Sequence, residues 1–486
     1  MPKNIVVVGG GTAGWIAALS VIHRYPNFNV TVIESDEIGI LGAGEGTTPN
    51  FLPFLHLAGI TAKELVINCD ATIKNGIEFK NWHGDNTSYF HSFQLHDDEL
   101  NVYSQKNIKI LQNYVSKNEN YKFLDFQYRC STSHLTPLYV NENKEFDRLF
   151  LFSLHFNARK VASYFKSVAI SKNIKLIEGK VNKFSTDENN YITEIHLENL
   201  TTVKADFVFD CTGFARLILG KLYKTKWKSY SHRLPMNSAV PFFIPHNNIV
   251  KPQTSAIAMK YGWIWQIPVR DRYGCGYVFD KNYISADTAL NEAEEYFGMK
   301  LESPKTFQFE AGSFEKVIVN NCMALGLSHT FIEPLEATSI MSTLLNLNLL
   351  LDYDIVQNND DKLKNFLNQA SNERNDEILE FLNLHYQTNR NDSEFWANFK
   401  ENYPISEYIK DVYSVISNGG KTLPRYYHTF GLEGYLQVGL GVKIIDKNFR
   451  RFYNNTYSPM DEYDLFSIQN EWVKKLLNHQ DIMNET

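Results

Sequence analysis

The N-terminal sequence decides the fold, and it reads Ile5-Val6-Val7-Val8-Gly9-Gly10-Gly11-Thr12-Ala13-Gly14. Its four apolar residues predict a buried strand, and the run from Thr12 to about Tyr25 predicts a helix. A second strand is predicted for Asn29-Val30-Thr31-Val32-Ile33-Glu34. A strand, a helix and a strand in this order predict a βαβ unit, and therefore a doubly wound α/β module.

The glycines of the first turn have the spacing of a dinucleotide-binding loop. Gly9 permits a tight turn, Gly11 lets the backbone approach a pyrophosphate, and Gly14 allows close packing of helix on strand. The start of the helix offers its partial positive charge to the phosphates. Glu34 lies at the end of the second strand, where a carboxylate can accept hydrogen bonds from a ribose. The predicted cofactor contacts here are Gly9, Gly11, Thr12, Ala13, Gly14 and Glu34, and they leave FAD and NAD open.

Composition excludes several classes of protein. With 43% hydrophobic and 21% charged residues, the 486-residue chain has the composition of a soluble globular protein of at least two subdomains. A net charge of −7 argues against nucleic-acid binding. The N-terminus lacks a signal-like apolar segment, and no run of about 18 apolar residues predicts a membrane span. The five scattered cysteines show neither metal-ligand nor redox spacing, so we expect a reduced, cytoplasmic chain.

A pair of tryptophans marks the middle of the chain. The segment is Trp263-Ile264-Trp265-Gln266-Ile267-Pro268, in a chain that has only seven tryptophans. In an extended strand the two indoles would project from one face. Taken alone, the pattern predicts only a core strand with two large aromatic side chains.

Five further segments contain residues suited to cofactor binding or catalysis. They are Leu41-Gly42-Ala43-Gly44-Glu45-Gly46-Thr47-Thr48-Pro49, Cys69-Asp70-Ala71-Thr72-Ile73-Lys74-Asn75-Gly76-Ile77-Glu78-Phe79-Lys80-Asn81-Trp82, His91-Ser92-Phe93, Asp210-Cys211-Thr212-Gly213-Phe214 and Gly326-Leu327-Ser328-His329-Thr330-Phe331-Ile332-Glu333-Pro334-Leu335-Glu336-Ala337-Thr338-Ser339. With the glycine loop and the tryptophan pair, they resemble the flavin-dependent halogenases, often called the tryptophan halogenase family. With a weaker helical signature, Leu384-His385-Tyr386 and Phe395-Trp396, the matches run from residue 5 to residue 396.

The resemblance implies an α/β, flavin monooxygenase-like dinucleotide-binding fold with a mixed substrate-side sheet and a mainly helical C-terminal part. We expect a discontinuous FAD-binding module within residues 1–350, at about 1–60, 150–235 and 310–350. Substrate-side elements would occupy about 61–149 and 236–309, and the helical subdomain 351–486. The resemblance adds Gly42, Ala43, Gly44, Glu45, Asp210, Gly213 and Gly326 to the predicted contacts of FAD.

The resemblance also assigns the chemistry. Reduced FAD and O2 would convert a halide, held by Thr338 and Ser339, into hypohalous acid. That oxidant would travel through an internal passage to Lys74, with Glu336 as the second catalytic residue. A partition formed by Trp263, Trp265 and Pro268 would keep the arene from the flavin, and His91 and Phe93 would contact the arene. From the residues alone, Lys74 could instead lie on a solvated strand face, and Glu336 could merely complement a helix dipole.

The sequence departs from the tryptophan-specific members in ways that bear on the substrate. Ser339 replaces the usual glycine of the halide site, and His329-Thr330 stands where small residues are common. Tyr453, Tyr457, Tyr463 and Trp472 cannot be aligned with the residues that grip free tryptophan. We therefore expect an indole- or phenol-type substrate rather than free tryptophan.

Partners follow from the same reasoning. Since no second nicotinamide fingerprint is present, a separate flavin reductase is expected to supply FADH2, in a two-component system. The other expected partner is a small aromatic substrate, with no nucleic acid and no membrane, and a homo-oligomer remains open. The alternatives are a single-component FAD monooxygenase that hydroxylates its substrate, a flavin-binding protein without halogenating activity and, more remotely, an NAD-dependent dehydrogenase.

Overall fold

A computed structural model describes residues 2–35, 44–93, 125–142, 146–246, 249–303, 305–418, 429–445 and 467–484. The chain folds into two compact units, each assembled from separated stretches of sequence. The first unit comprises Met1–Ala71, Phe156–Ser231 and Glu310–Asp376, and the second comprises Thr72–His155, His232–Phe309 and Glu377–Thr486.

A six-stranded sheet forms the centre of the first unit. Its strands follow the order Lys175–Glu178, Asn29–Glu34, Asn4–Val8, Phe207–Asp210, Cys322–Ala324 and Ile318–Val319. All neighbours are parallel except the last pair. Val6 and Val7 are almost fully buried, which is typical of a parallel strand covered on both faces. The predicted strand–helix–strand unit is confirmed, with its helix at Thr12–Arg24.

The remaining elements of the first unit surround this sheet. Two antiparallel three-stranded sheets consist of Val181–Thr186, Ile192–Leu197 and Thr202–Lys204, and of Trp227–Ser229, Gly312–Phe314 and Thr330–Phe331. Gly44–Gly46 is a short strand. The helices are Phe51–Ala58, Ala62–Asn68, Ala158–Ser171, Thr338–Asp352 and Ile355–Asn358, with short helical turns at Gly213–Ala215, Leu217–Leu222, Gly326–Ser328 and Pro334–Glu336.

A seven-stranded sheet forms the centre of the second unit. Its order is Phe307–Gln308, Ser238–Pro245, Arg272–Phe279, Gly262–Val269, Thr254–Met259, Gly76–Lys80 and Ser88–Ser92. Only the pair Thr254–Met259 and Gly76–Lys80 is parallel. The sheet is therefore mixed, as predicted for the substrate side.

Shorter elements complete the second unit. Thr72–Lys74 pairs antiparallel with Ser153–Asn157, and Leu138–Val140 with Phe146–Arg148. The helices are Phe126–Thr132, Ala286–Phe297, Glu394–Asn402, Glu407–Ser417, Leu432–Gly441 and His479–Asn484, and the boundary between the units falls inside helix Asp361–His385. The C-terminal part is mainly helical, as predicted. Within the described ranges, no helix combines the length and the apolar character needed to cross a bilayer.

The close packing at the first turn predicts how two glycine substitutions change the free energy of unfolding. A Cβ atom at Gly14 would lie 1.9 Å from the carbonyl oxygen of Gly9, whereas one at Gly11 would meet no atom within 4 Å. We expect Gly14→Ala to lower the free energy of unfolding by about 1–3 kcal/mol, because backbone must shift. Gly11→Ala is the matched control, with a change below about 0.5 kcal/mol. Equal urea midpoints for the two variants would contradict this packing.

Candidate functional site

Three turns that are distant in sequence meet at the start of helix Thr12–Arg24. Gly9 has a φ of +118°, and a Cβ there would lie 2.1 Å from the Cys211 carbonyl oxygen. Gly326, with a φ of +61°, would bring a Cβ to 3.0 Å from Ala13 Cβ. The turns therefore approach one another at distances that only glycine permits.

Open space lies beside this junction. Cβ atoms placed at Gly11 and at Gly213 would find no neighbour within 4 Å. We call Gly9, Gly11, Gly14, Gly213 and Gly326 the glycine cradle. Because it combines exposed backbone with a helix N-terminus, the cradle fits a flat cofactor that carries a diphosphate.

Three carboxyl groups of the first unit were predicted to contact the cofactor, and two of them are Glu34 and Glu45. Glu34 forms an ion pair with Lys166, and its Oε2 lies against Gly10, where a Cβ would be only 2.0 Å away. Glu45 belongs to the strand that begins at Gly44, and burial raises its pKa to about 7. Glu34 is thus at the glycine loop, and the ribose contact stays a prediction. Gly42 and Ala43 lie outside the described residues.

Asp210 is the third of these carboxyl groups. Its Oδ1 accepts hydrogen bonds from the backbone N–H and the hydroxyl of Thr212, and its Oδ2 accepts from the N–H groups of Ile218 and Leu219. The side chain has no exposed surface. Asp210 thus holds the turn that presents Gly213, and its contact with the cofactor stays a prediction.

The predicted halide residues begin helix Thr338–Asp352. Ala337 precedes the helix with a φ of +55°, and no side chain caps it. The first N–H groups of such a helix lack intrahelical partners and favour an anion. Thr338 is buried and Ser339 is exposed. Glu336, 5% exposed, ends the helical turn directly before them.

Lys74 is buried in the second unit. Its side chain has no exposed surface, although it stands on the short strand Thr72–Lys74. Its Nζ lies 5.4 Å from the centroid of the Phe93 ring, a distance at which an ammonium is attracted to the π face. The structure therefore excludes the solvated strand face. Lys80 provides the contrast, since its side chain is 35% exposed and lies 3.5 Å from the Glu78 carboxylate.

The two indoles lie on one face of strand Gly262–Val269. Their ring centroids are 6.5 Å apart with planes at 66°, an edge-to-face arrangement. Trp263 is 1% exposed, and its Nε1 has no hydrogen-bond partner within the described part of the chain. Trp265 lies over Gly276 of the neighbouring strand, where a Cβ would be 2.1 Å from the indole ring. Gly276 thus provides the room for this indole.

His91 and Phe93 lie at the end of strand Ser88–Ser92. The His91 ring is 5.4 Å from that of Phe381, and its Nε2 would be 3.0 Å from a Cβ at Gly434. The structure brings Phe93 to Lys74. Sequence reasoning did not identify Glu433, whose pKa is raised to about 7 by burial and by Asp125.

Two buried histidines beside the lysine strand were missed as well. The His155 ring is hydrogen-bonded to the Thr72 and Thr254 hydroxyls, and Nε2 of His479 accepts from the backbone N–H of Ile73. His155 interrupts the apolar run Leu154–Phe156, which was the only available signal. Nothing in the sequence around His479 indicated its position.

Comparisons with known proteins agree with this geometry. A family model described as tryptophan halogenase matches residues 4–457. The tryptophan 7-halogenase of Lentzea aerocolonigenes is 31% identical, over 82% of this chain and 79% of that protein. The tryptophan 6-halogenase of Streptomyces albogriseolus is 28% identical, over 84% and 81%. The solved structure of a tryptophan 6-halogenase from Streptomyces toxytricini has the same fold, with a TM-score of 0.89 at 24% identity and full coverage of both chains.

The position of Trp265 makes a prediction about the indole pair. In Gly276→Val, the new side chain would occupy the space of the Trp265 ring, so we expect the edge-to-face contact with Trp263 to be lost. Near-ultraviolet circular dichroism measures this contact through the coupling of the two indoles. Gly298→Asn is the control, because a Cβ at Gly298 meets no neighbour within 4 Å and asparagine tolerates its φ of +65°. An unchanged spectrum of Gly276→Val would contradict the placement.

Proposed function

The chain belongs to the tryptophan halogenase family, and from this premise we propose that it halogenates an indole- or phenol-type arene through Lys74 and Glu336. It is an enzyme of the flavin-dependent halogenases, which use FADH2, a halide and O2. The buried amine of Lys74 above the Phe93 ring is the observation that carries the proposal.

We propose the first unit as the FAD-binding module. Gly11 and Gly213 border the open space of the glycine cradle, and Glu34 lies at the loop where a ribose would be held. When bound, reduced FAD reacts with O2 and supplies the oxidising equivalents that turn a halide into hypohalous acid. The N–H groups of Thr338 and Ser339 would hold the halide, since they begin a helix that no side chain caps.

Lys74 and Glu336 have separate roles in the halogen transfer. The amine of Lys74 binds the hypohalous acid, either by a hydrogen bond to its oxygen or by accepting the halogen. From the hydrogen-bonded acid, the arene carbon attacks the halogen while the Lys74 ammonium gives a proton to the departing hydroxide, which leaves as water. From the haloamine, which forms from the amine and hypohalous acid with release of water, the arene carbon attacks the halogen and the Lys74 amine is the leaving group. In both cases Glu336 accepts the proton that the carbon loses. Trp263 and Trp265 keep the arene from the flavin, which makes halogenation rather than hydroxylation the outcome.

The substrate is proposed from two departures: the residues that grip free tryptophan have no counterpart that can be aligned here, and the halide site differs. Ser339 is exposed, so its hydroxymethyl group stands beside the anion-binding turn where tryptophan-specific members usually have glycine. We therefore do not carry over tryptophan as the substrate from the family members whose names specify it. A separate flavin reductase would supply FADH2 to the glycine cradle.

A reaction panel tests the function. Purified protein with FAD, a flavin reductase, NADH and air would be offered indole, phenol and free tryptophan, with chloride, bromide or iodide. We expect mass spectrometry to show a halide-dependent mass increase in the indole or the phenol, exceeding that in free tryptophan. A halide-independent hydroxylated product would support the hydroxylase, and protein that binds FAD but yields no product would support the non-halogenating flavoprotein.

Substitutions test the catalytic pair. Lys74→Ala should reduce halogenation by at least about 100-fold, because the oxidant is no longer bound near the arene, and Glu336→Gln should do so by about 100-fold, because the amide cannot accept the proton. FAD binding, followed by flavin fluorescence, should survive in both variants. Lys80→Ala is the control and should keep its rate. Full activity of Lys74→Ala would refute the role of the lysine.

A further inference from the structure

Thr72 connects the strand of Lys74 to the strand of the tryptophan pair, and His155 holds the Thr72 hydroxyl. The Thr72 hydroxyl donates to the carbonyl oxygen of Pro268 at 2.7 Å, so its only proton is used. Its oxygen must then accept from Nδ1–H of His155, at 3.0 Å. The other nitrogen, Nε2, accepts from the Thr254 hydroxyl at 2.8 Å. These hydrogen bonds place a proton on Nδ1 of His155, and in the neutral ring Nε2 accepts from Thr254.

His479 holds the next residue of the same strand. Its Nδ1 lies 3.0 Å from the Val250 carbonyl oxygen, which can only accept, so Nδ1 carries the proton. Its Nε2 is then free to accept from the backbone N–H of Ile73 at 3.2 Å. Protonation of Nε2 would set two donors against each other. His479, like His155, serves this contact as one tautomer of a neutral ring.

The backbone makes part of this connection, because strand Gly76–Lys80 follows Lys74 closely and pairs with Thr254–Met259. Strand Thr72–Lys74 itself pairs with Ser153–Asn157, whereas Pro268 and Thr254 belong to the seven-stranded sheet. The side chains of Thr72 and His155 add the links to Pro268 and Thr254, and His479 adds a link from Ile73 to the C-terminal helix. His479 is itself held in place, because its backbone N–H donates to the His134 carbonyl oxygen.

Both rings lie in surroundings that keep them uncharged. Neither His155 nor His479 is more than 1% exposed. Burial holds the pKa of His155 well below its usual range, and the electrostatic effects of Lys74 and His479 act in the same direction. Burial lowers the pKa of His479 to about 4, with His134 acting in the same direction. Near neutral pH the imidazoles therefore remain in the form that the hydrogen bonds require.

We propose that His155 and His479 are positioning residues for halogen transfer, which hold Lys74 in register with the Trp263–Pro268 segment. This inference rests on the proposed function of Lys74. It also gives the C-terminal helix His479–Asn484 a part in the reaction, although this helix lies about 400 residues from Lys74 along the chain.

Paired variants test the inference. His155→Phe and His479→Phe keep the ring volume but lose both hydrogen bonds, and we expect kcat for the arene to fall about 10- to 100-fold, as for small displacements of a catalytic group. The KM for the arene should change less. His155→Gln and His479→Gln keep one donor and one acceptor and should retain most of the activity. His196→Phe, on a strand of the first unit, is the control.

A second readout separates this inference from the proposed function. A 1,3-diketone trap in solution measures hypohalous acid that escapes. We expect trap halogenation to rise in the phenylalanine variants while arene halogenation falls. If the unaltered protein makes no oxidant, the proposed function fails; if the phenylalanine variants halogenate arene as the unaltered protein does, only the positioning role is overturned.

Nuclear magnetic resonance keeps the inference testable if the phenylalanine variants do not fold. In protein labelled with ¹⁵N-histidine, both imidazoles should report neutral rings protonated on Nδ1 between pH 6 and pH 8. The glutamine variants identify the two signals. A ring protonated on Nε2, or a charged ring in this range, would overturn the assignment.

Discussion

An amine without exposed surface, that of Lys74, is the constraint on which the second unit depends. An ammonium removed from water is costly unless its surroundings compensate for the lost hydration. The structure places the π face of Phe93 near it and keeps the adjacent His155 uncharged. A reactive amine held in this way is shielded from bulk water, where hypohalous acid would be lost to other nucleophiles. The burial of the amine and its proposed function therefore both require that the strand keep Lys74 away from bulk water.

Backbone proximity is the corresponding constraint in the first unit. Gly9 and Gly14 make contacts that no side chain permits, while Gly11 and Gly213 border empty space. The same residue type thus serves two purposes, to close the turns upon each other and to leave backbone accessible to a flat cofactor. Asp210 stabilises this arrangement, because it holds the turn of Gly213 through four hydrogen bonds.

Sequence reasoning succeeded where an element is formed by residues that are close together in the sequence. The valine strand, the glycine turn and the helix from Thr12 are local patterns, and the structure has them within a residue or two of the expected bounds. It failed where the partner is remote. The hydrogen bonds that Asp210 accepts from backbone N–H groups eight and nine residues later were not predicted. The contact of His479 with Ile73 spans 406 residues, and no local pattern encodes it.

By itself, the sequence determined the α/β class and the dinucleotide loop, because periodicity and motif spacing are properties of neighbouring residues. Its resemblance to the flavin-dependent halogenases indicated the family and singled out Lys74, Glu336 and the tryptophan pair. Only the tertiary structure decided that Lys74 is buried, that Gly276 makes room for Trp265, and that two histidines hold the lysine strand. Burial and hydrogen-bond partners depend on which strands become neighbours, and that pairing is settled by packing across the whole chain.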